Sequence, residues 1–258
     1  MFEVNLLNET HAYFYGLLLS DGHLELATRN RGRISIELAN GCEVLNSLQE
    51  YFGGSRFSRS RKTNFSDNLK IEGWRNSRIE FRSQLMKFGF PPGDKSLTQN
   101  VPNSLYNKRG FWRGYIDGNG SMGFTENNRP FLSIATKSSS IAHMWEKFLF
   151  NFHIQRNTNR NKRDNFYNIL ITTEDAQNVL NYLYNNAEVK MDYNYQNYKN
   201  IMNWIRPPNM PKAPPSKQWD HYQDRFILNH SIQESIDKLD RTKSSIKNRL
   251  FRLKHKAN

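Results

Sequence analysis

An α+β fold of two pseudo-symmetric halves, followed by a small three-helix module, is predicted by three observations on the 258-residue sequence. First, FYGLLLSDGHL around Gly16 and WRGYIDGNGSM around Gly114 share a glycine–five residues–glycine pattern, offset by 98 residues at Gly16/Gly114 and again at Gly22/Gly120. Second, the stretches after the two motifs resemble each other in period, so each half is expected to run roughly α-β-β-α-β-β-α. Third, five of the nine prolines (Pro207, Pro208, Pro211, Pro214 and Pro215) crowd into RPPNMPKAPPSK, the composition of a stiff spacer. The predicted boundaries are 1–104 and 105–205 for the repeats, 206–217 for the linker and 218–258 for the terminal module.

The elements follow in order. Thr10 to Ser20 reads as a helix with Asn8 or Thr10 as its cap. Ile34, Ile36 and Leu38 alternate with Arg33, Ser35 and Glu37, the period of a half-buried strand. Val44, Leu45, Leu48, Tyr51 and Phe52 recur at helical spacing, closed by Gly53-Gly54. Strands are expected over Arg56–Lys62 and Asn68–Arg82. In the second half, Phe131–Thr136 reads as a strand and Ile141–Phe152 as a helix. Arg156–Arg163 and Tyr167–Ile171 read as strands, and Asp175–Tyr184 as a helix. The tail shows three short helical sets: Trp219, Tyr222, Phe226 and Ile227; then Ile232, Ile236 and Leu239; then Ile246, Leu250 and Leu253, capped by Thr242 or Ser244.

Composition narrows the function. A formal charge of +13 and a pI near 9.8 suit a polyanionic partner. The lone Cys42 excludes an internal disulfide framework and a Cys-rich zinc site, which places the chain in a reducing compartment. Mean hydropathy is −0.81, and the longest largely apolar run, Ala12–Leu19, is far short of the ~20 residues of a membrane span. Met1–Asn5 lacks the start of a secretion signal, so a cytoplasmic or organellar protein is expected. The seven histidines show no metal-ligand spacing and are expected in surface or loop roles. No P-loop or dinucleotide fingerprint occurs.

The paired motifs carry the chemistry. Gly16 in mid-helix costs about 1 kcal/mol against Ala, a cost explained by close approach of a second helix, and Gly114 marks that partner. Asp21 falls at the C-terminal end of its helix, where the dipole is already negative, so an acid there is misplaced unless a cation binds. Helix carbonyls and a second helix end alongside would complete an oxygen-rich pocket for a hard divalent ion such as Mg²⁺. Beside a basic surface, such an ion points to phosphodiester hydrolysis.

FYGLLLSDG and RGYIDGNG resemble the two LAGLIDADG motifs of single-chain homing endonucleases, and the resemblance spans roughly residues 10–205. It implies that Asp21 is the acidic metal ligand at the eighth motif position. The second motif departs from the pattern, with Asn119 there as a neutral and weaker ligand. Backbone oxygens at Gly22 and Gly120 would complete the Mg²⁺ or Mn²⁺ set. Asp117, at the sixth position, reads as a cap or structural residue, with substitution for Asn119 as the alternative. By the same resemblance Lys95 and Lys190 are the basic rim residues that support phosphate charge, with solvated surface lysines as the competing reading. The sheets would form a saddle on double-stranded DNA, with Arg29, Arg31, Arg33, Arg59, Arg61, Lys70, Arg75 and Arg78 from the first half. Arg156, Arg160 and Lys162 would serve from the second. From Arg241 to Lys256 there are seven basic residues and no acid. Trp219 and RTKSSIKNRLFRL resemble a Myb/SANT helix-turn-helix, which implies DNA contacts from Arg241, Lys243, Lys247 and Arg249. The resulting expectation is a monomeric, metal-dependent homing endonuclease on a long asymmetric site, encoded with a mobile intron and strand-biased or nicking because of Asn119. A non-catalytic DNA-binding regulator and an intron maturase acting on RNA remain alternatives.

Overall fold

Asn8 starts the first helix: its side chain accepts the His11 N–H at 3.0 Å, satisfying one of the donors a helix N-terminus leaves open. In the computed structural model, which describes residues 3–28, 31–39, 42–61, 69–156, 158–161, 163–210 and 219–254, this helix is α1 (Glu9–Asp21). From Thr10 to Ser20 every residue but His11 is buried, so α1 is enclosed on all sides, as a helix apolar around its circumference must be. Its partner is α4 (Lys108–Asn119), capped in the same way by Asn107 through the Gly110 N–H at 2.9 Å. The two backbones touch. A Cβ at Gly16 would overlap the Phe111 carbonyl oxygen, and one at Gly114 the Tyr13 carbonyl oxygen.

Each helix leads into an antiparallel sheet. The first contains β1 (His23–Glu25), β2 (Arg33–Leu38), β3 (Ser55–Arg61) and β4 (Leu69–Asn76), in the order β1-β2-β4-β3. It is covered by α2 (Cys42–Phe52) and α3 (Ile79–Lys87). The second contains β5 (Gly120–Phe124), β6 (Pro130–Thr136) and β7 (Tyr167–Thr172), in that order, with α5 (Ser139–Phe150), α6 (Thr173–Tyr184) and α7 (Asp192–Met202). One hydrophobic core runs through both halves and includes Trp74 behind the first sheet and Trp112 and Trp145 behind the second. Arg113 is fully buried and ties α4 to three places: it donates to Glu9 Oε1 at 2.7 Å, to the Leu183 carbonyl at 2.8 Å and to the Val189 carbonyl at 2.9 Å.

The sequence reading is corrected at three points. The strand expected over Arg156–Arg163 is absent among the described residues, so the second half has one strand fewer than the first. Nothing there is apolar enough to bury, and the backbone turns to other partners: Thr158 N–H donates to Glu146 Oε1 at 2.6 Å, and Asn161 N–H to the Phe166 carbonyl at 2.7 Å. The strand expected to reach Arg82 stops at Asn76, whose side chain donates to the Phe52 carbonyl and accepts the Arg78 N–H, both at 2.9 Å, turning the chain into α3. His11 lies not in a loop but on α1, half-buried, with its ring 5.1 Å from that of Phe52.

The chain divides into two compact units, Met1–Arg206 and Pro207–Asn258. The second holds α8 (His221–Asn229), α9 (Ile232–Leu239) and α10 (Lys243–Lys254). Asp220 caps α8, Ser231 and Glu234 form a capping box on α9, and the Thr242 hydroxyl accepts the Ser245 N–H at the start of α10. Ile227 and Ile246 are buried between the helices. Trp219 anchors the unit, with the Arg241 guanidinium 4.0 Å from its ring centroid.

Candidate metal centre and nucleic-acid interface

The C-terminal end of α1 is capped by side chains from the loop before α4. The Gly22 N–H donates to the Leu18 carbonyl at 2.8 Å, Gln99 Nε2 to the Leu19 carbonyl at 2.8 Å, and Lys95 Nζ to the Ser20 carbonyl at 3.1 Å. The last carbonyls of the helix, expected from sequence to be free for an ion, thus already hold an amide and an ammonium. Lys95 is 8% exposed, and burial pushes its ammonium down to about 8, with the Asp21 and Asp94 carboxylates pulling it back up. Asp21 keeps an exposed surface, yet the protein crowded around its carboxyl raises its pKa, opposed by the nearby Lys95 charge.

Asp21 lies against the other motif helix. A Cβ at Gly118 would overlap Ser20 Oγ and sit 2.9 Å from Asp21 Oδ2, so the glycine leaves room for both side chains. Next to it, Asn119 hydrogen-bonds the hydroxyl of Tyr115, which also lies 2.8 Å from Gln99 Oε1 and 3.3 Å from Thr136 Oγ1. Asp21, Lys95, Gln99, Tyr115 and Asn119 therefore form one cluster where the two helices end. Gln99 and Tyr115 were not singled out from the sequence; the Lys-x-x-x-amide spacing of Lys95/Gln99, repeated at Lys190/Asn194, was the available signal. Among the described residues no three His, Cys, Asp or Glu side chains converge on a metal site. One carboxylate, one amide oxygen and backbone carbonyls are hard oxygen donors, and they fit a single divalent ion held through Asp21.

The second half is built differently. Lys190 Nζ donates to the Ala187 carbonyl at 2.7 Å and lies 4.8 Å from the Tyr195 ring centroid. No hydrogen bond or ion pair joins it to Asp21 or Asn119 among the described residues. Asp117 is buried with all of its acceptor sites used. Oδ2 accepts from the Tyr13 hydroxyl at 2.6 Å and the Met191 N–H at 2.9 Å; Oδ1 accepts from the Tyr184 hydroxyl at 2.6 Å and Asn194 Nδ2 at 2.8 Å. Burial raises its carboxyl, and these four donors oppose the rise. Asp117 is thus structural and does not stand in for Asn119.

Two further findings bear on kinship. Residues 107–183, from the cap of α4 through most of α6, match the LAGLIDADG-like domain family. Among solved structures, I-SmaMI bound to an uncleaved DNA target in the presence of calcium ions is similar over 76% of this chain and 89% of that one, at 13% identity and a TM-score of 0.51. Meganuclease I-SmaMI bound to uncleaveable DNA with a TTGT central four is similar over 77% and 89%, at 12% identity and a TM-score of 0.50. At such identities the likeness establishes the LAGLIDADG fold. No curated protein matches the chain in sequence.

On the two sheets, the predicted basic residues separate by face. The register places Arg33, Arg59 and Arg75 on the side of the first sheet away from Trp74, together with Glu25 and Glu37. Arg33 pairs with Glu25 at 3.1 Å, Arg59 pairs with Glu37, and Arg75 lies over the Phe57 ring at 5.7 Å. Lys70, opposite Ser60, falls on the other face and pairs with Glu72 at 3.0 Å, so it does not belong to the arginine surface. Arg31 is exposed just before β2, and Arg78 at the start of α3; Arg29 and Lys162 lie outside the described residues.

The corresponding face of the second sheet, with Ser121, Gly123, Phe131, Ser133, Asn168 and Leu170, carries no charge on its strands. Arg156 and Arg160 do not share a strand face as expected. Arg156 donates to the Leu170 carbonyl at 3.2 Å, and Arg160 to the Lys137 carbonyl at 2.9 Å, beside the Tyr167 ring. In the terminal unit, Lys243 and Lys247 are exposed on α10. Arg241 and Arg249 instead turn inward: Arg241 donates to Gln223 Oε1 at 2.6 Å, and Arg249 grips Asp224 at 2.7 and 2.5 Å, both against Trp219. No helix of the described residues is long and apolar enough to cross a membrane.

Proposed function

We propose that the chain is a site-specific, metal-dependent DNA endonuclease of the homing type, acting as a monomer on a long asymmetric duplex and cutting one strand faster than the other. The observation that carries this reading is the unequal pair of helix ends: Asp21 with Lys95 beside it on one, Asn119 without an acid on the other. A bound Mg²⁺ or Mn²⁺, held by Asp21 with Asn119 and a backbone oxygen at Gly22 or Gly120 as weaker donors, would supply Lewis-acid activation of a phosphodiester. The chain's own contribution is positional and electrostatic. Asp21 brings a full negative charge to the place where the two helices end, and Lys95, fixed on the Ser20 carbonyl, offsets charge developing on the phosphate. Arg31, Arg33, Arg59, Arg61, Arg75 and Arg78 would contact the backbone and base edges, and Lys243 and Lys247 would add phosphate contacts from the terminal unit. The test is incubation with plasmid libraries with and without Mg²⁺, with nicked and linear products scored separately. Asn119 also favours a second reading, a regulator that binds without cutting; specific retention of duplex with no product under any divalent ion would establish it.

Truncation after Arg206 separates binding from chemistry. Removing α8–α10 should weaken duplex binding and reduce the salt slope by roughly one to two, the change expected for the loss of one or two phosphate contacts such as those of Lys243 and Lys247. Single-turnover cleavage at saturating protein should persist. Binding isotherms at several salt concentrations check this, and an unchanged slope removes the terminal unit from the interface.

A further inference from the structure

The last residues of β6 bring the second sheet to the helix ends. Gly120, the first residue after α4, lies opposite Ile134, so Thr136 and the corner after it run past the end of that helix. Two buried hydroxyls tie this corner to the cluster around Asp21. Thr136 Oγ1 lies 3.3 Å from the Tyr115 hydroxyl and accepts the Ser138 N–H at 3.1 Å, and the Ser138 hydroxyl donates to the Gln99 carbonyl. Lys137 stands between them. Its side chain does not follow its neighbours into the core: it is half-buried, with Nζ 5.1 Å from the centroid of the exposed Phe166 ring. Arg160 braces the same corner, donating to the Lys137 carbonyl at 2.9 Å and to Asn165 Oδ1 at 3.1 Å. Among the described residues the Lys137 ammonium has no hydrogen-bond or ion-pair partner. The loop that caps α1 lies close by. Its Asp94 carboxyl is held below the usual carboxylate range by the Ser96 N–H and hydroxyl, and the charges of Lys137 and Lys95 both add to the effect. By the 98-residue offset the counterpart of Lys137 is Ala39, so this cation belongs to the second half alone.

We infer that Lys137 is a further phosphate-binding residue of this site: its backbone is fixed to the helix-end cluster, its ammonium is free of partners, and it holds the DNA backbone beside the reacting phosphate. The inference rests on the nuclease reading for where the DNA lies, and on the contacts of the corner for where the cation lies. An ammonium backed by an aromatic face keeps its three donors for an anion, and as a compact point charge it suits a phosphate oxygen. The strands of the second sheet put no charge on their outer face, so this corner supplies what the arginines supply along the first sheet.

The test is Lys137→Gln in the full chain, which removes the charge and keeps the length of the side chain. Binding is measured at several salt concentrations, on a duplex recovered from the plasmid libraries by retention on the protein and on an unrelated duplex of the same length. The salt slope should fall by about one on both, the loss of one phosphate contact that carries no base identity. Single-turnover cleavage at saturating protein should fall by about tenfold, unlike the effect of removing Lys243 and Lys247. Lys137→Arg, which keeps the charge, should restore the slope and most of the rate. Lys108→Gln, at an exposed lysine on the other end of α4, should change neither. An unchanged slope for Lys137→Gln overturns the inference whatever its melting temperature does, because a side chain that only supports the corner moves the melt and not the slope. A lower slope with the full single-turnover rate also overturns it, since the contact would then lie away from the centre. If duplex is bound but no form of the protein cuts it, the nuclease reading fails and the slope alone decides: a fall of about one keeps Lys137 on the DNA backbone, and no change removes it. A parent chain that retains no duplex at low salt removes both.

Discussion

Asp21→Asn abolishes cleavage of both strands and leaves duplex affinity nearly intact; this is the expected result, and it follows from charge. With Asp21 neutralised, both helix ends offer only amide and carbonyl oxygens. At an effective dielectric near 20, a unit charge pair about 4 Å apart interacts by about 4 kcal/mol, and a divalent ion by more, before desolvation is subtracted. A loss of roughly a thousandfold in rate needs about 4 kcal/mol, so cleavage falls below detection in an ordinary assay. On the proposed reading, affinity comes from the arginine face of the first sheet and from the basic residues of the terminal unit, and the substitution removes none of them. Cleavage and gel shift on one substrate check both halves of the expectation, and retained cutting would place the metal elsewhere.

Gly114→Ala is expected to cost the most stability of any single methyl added to the chain. The new Cβ would meet the Tyr13 carbonyl and the Leu17 amide, which are helix backbone and have no rotamer in which to retreat. Overpacking a core by one methyl typically costs about 1–3 kcal/mol, and a backbone obstacle puts this site at or above the upper end. For a unit of this size that is a fall in melting temperature of roughly 6–12 °C, since each kcal/mol shifts it by about 2–4 °C. Gly123→Ala is the control: its Cβ would meet only the Phe131 ring, at 3.6 Å, an ordinary contact, and the melt should barely move. Equal melts for the two variants would mean that α1 and α4 are not held backbone to backbone.

The motif helices were legible because their signals are local and repeated. Gly16 and Gly114 at a fixed offset announced a close crossing, and Asp21 announced an acid at a helix end. What the sequence hid depends on partners distant along the chain. Asp117 is surrounded by Tyr13, Tyr184, Met191 and Asn194, from three other elements, so nothing within a turn of it reveals why an acid is buried there. The side-chain caps on α1 return from 75 and 80 residues away. Arg156 to Arg163 failed for a different reason. Alternating charge imitates the period of a strand, but period alone does not form one without an apolar face to bury. The inward turn of Arg241 and Arg249 was not legible, because basic content does not report the partners, the Trp219 ring and the Asp224 carboxylate, that draw the guanidinium groups inward.

The enclosure of α1 has a consequence for synthesis. Helix α1 is made well before the seam that covers it, α4, which begins about a hundred residues later, at Lys108. At ribosomal rates of about 5–20 residues per second, a nascent chain carries Tyr13, Phe14, Leu17 and Leu18 without their partner helix for on the order of five to twenty seconds. The first sheet and its two covering helices can form in that interval, but the crossing that completes the core cannot. Contacts of such long sequence separation fold slowly and leave apolar surface open to wrong partners. Chaperone dependence and inclusion-body formation should therefore respond to changes on the α4 face of α1 before they respond to changes on the sheets.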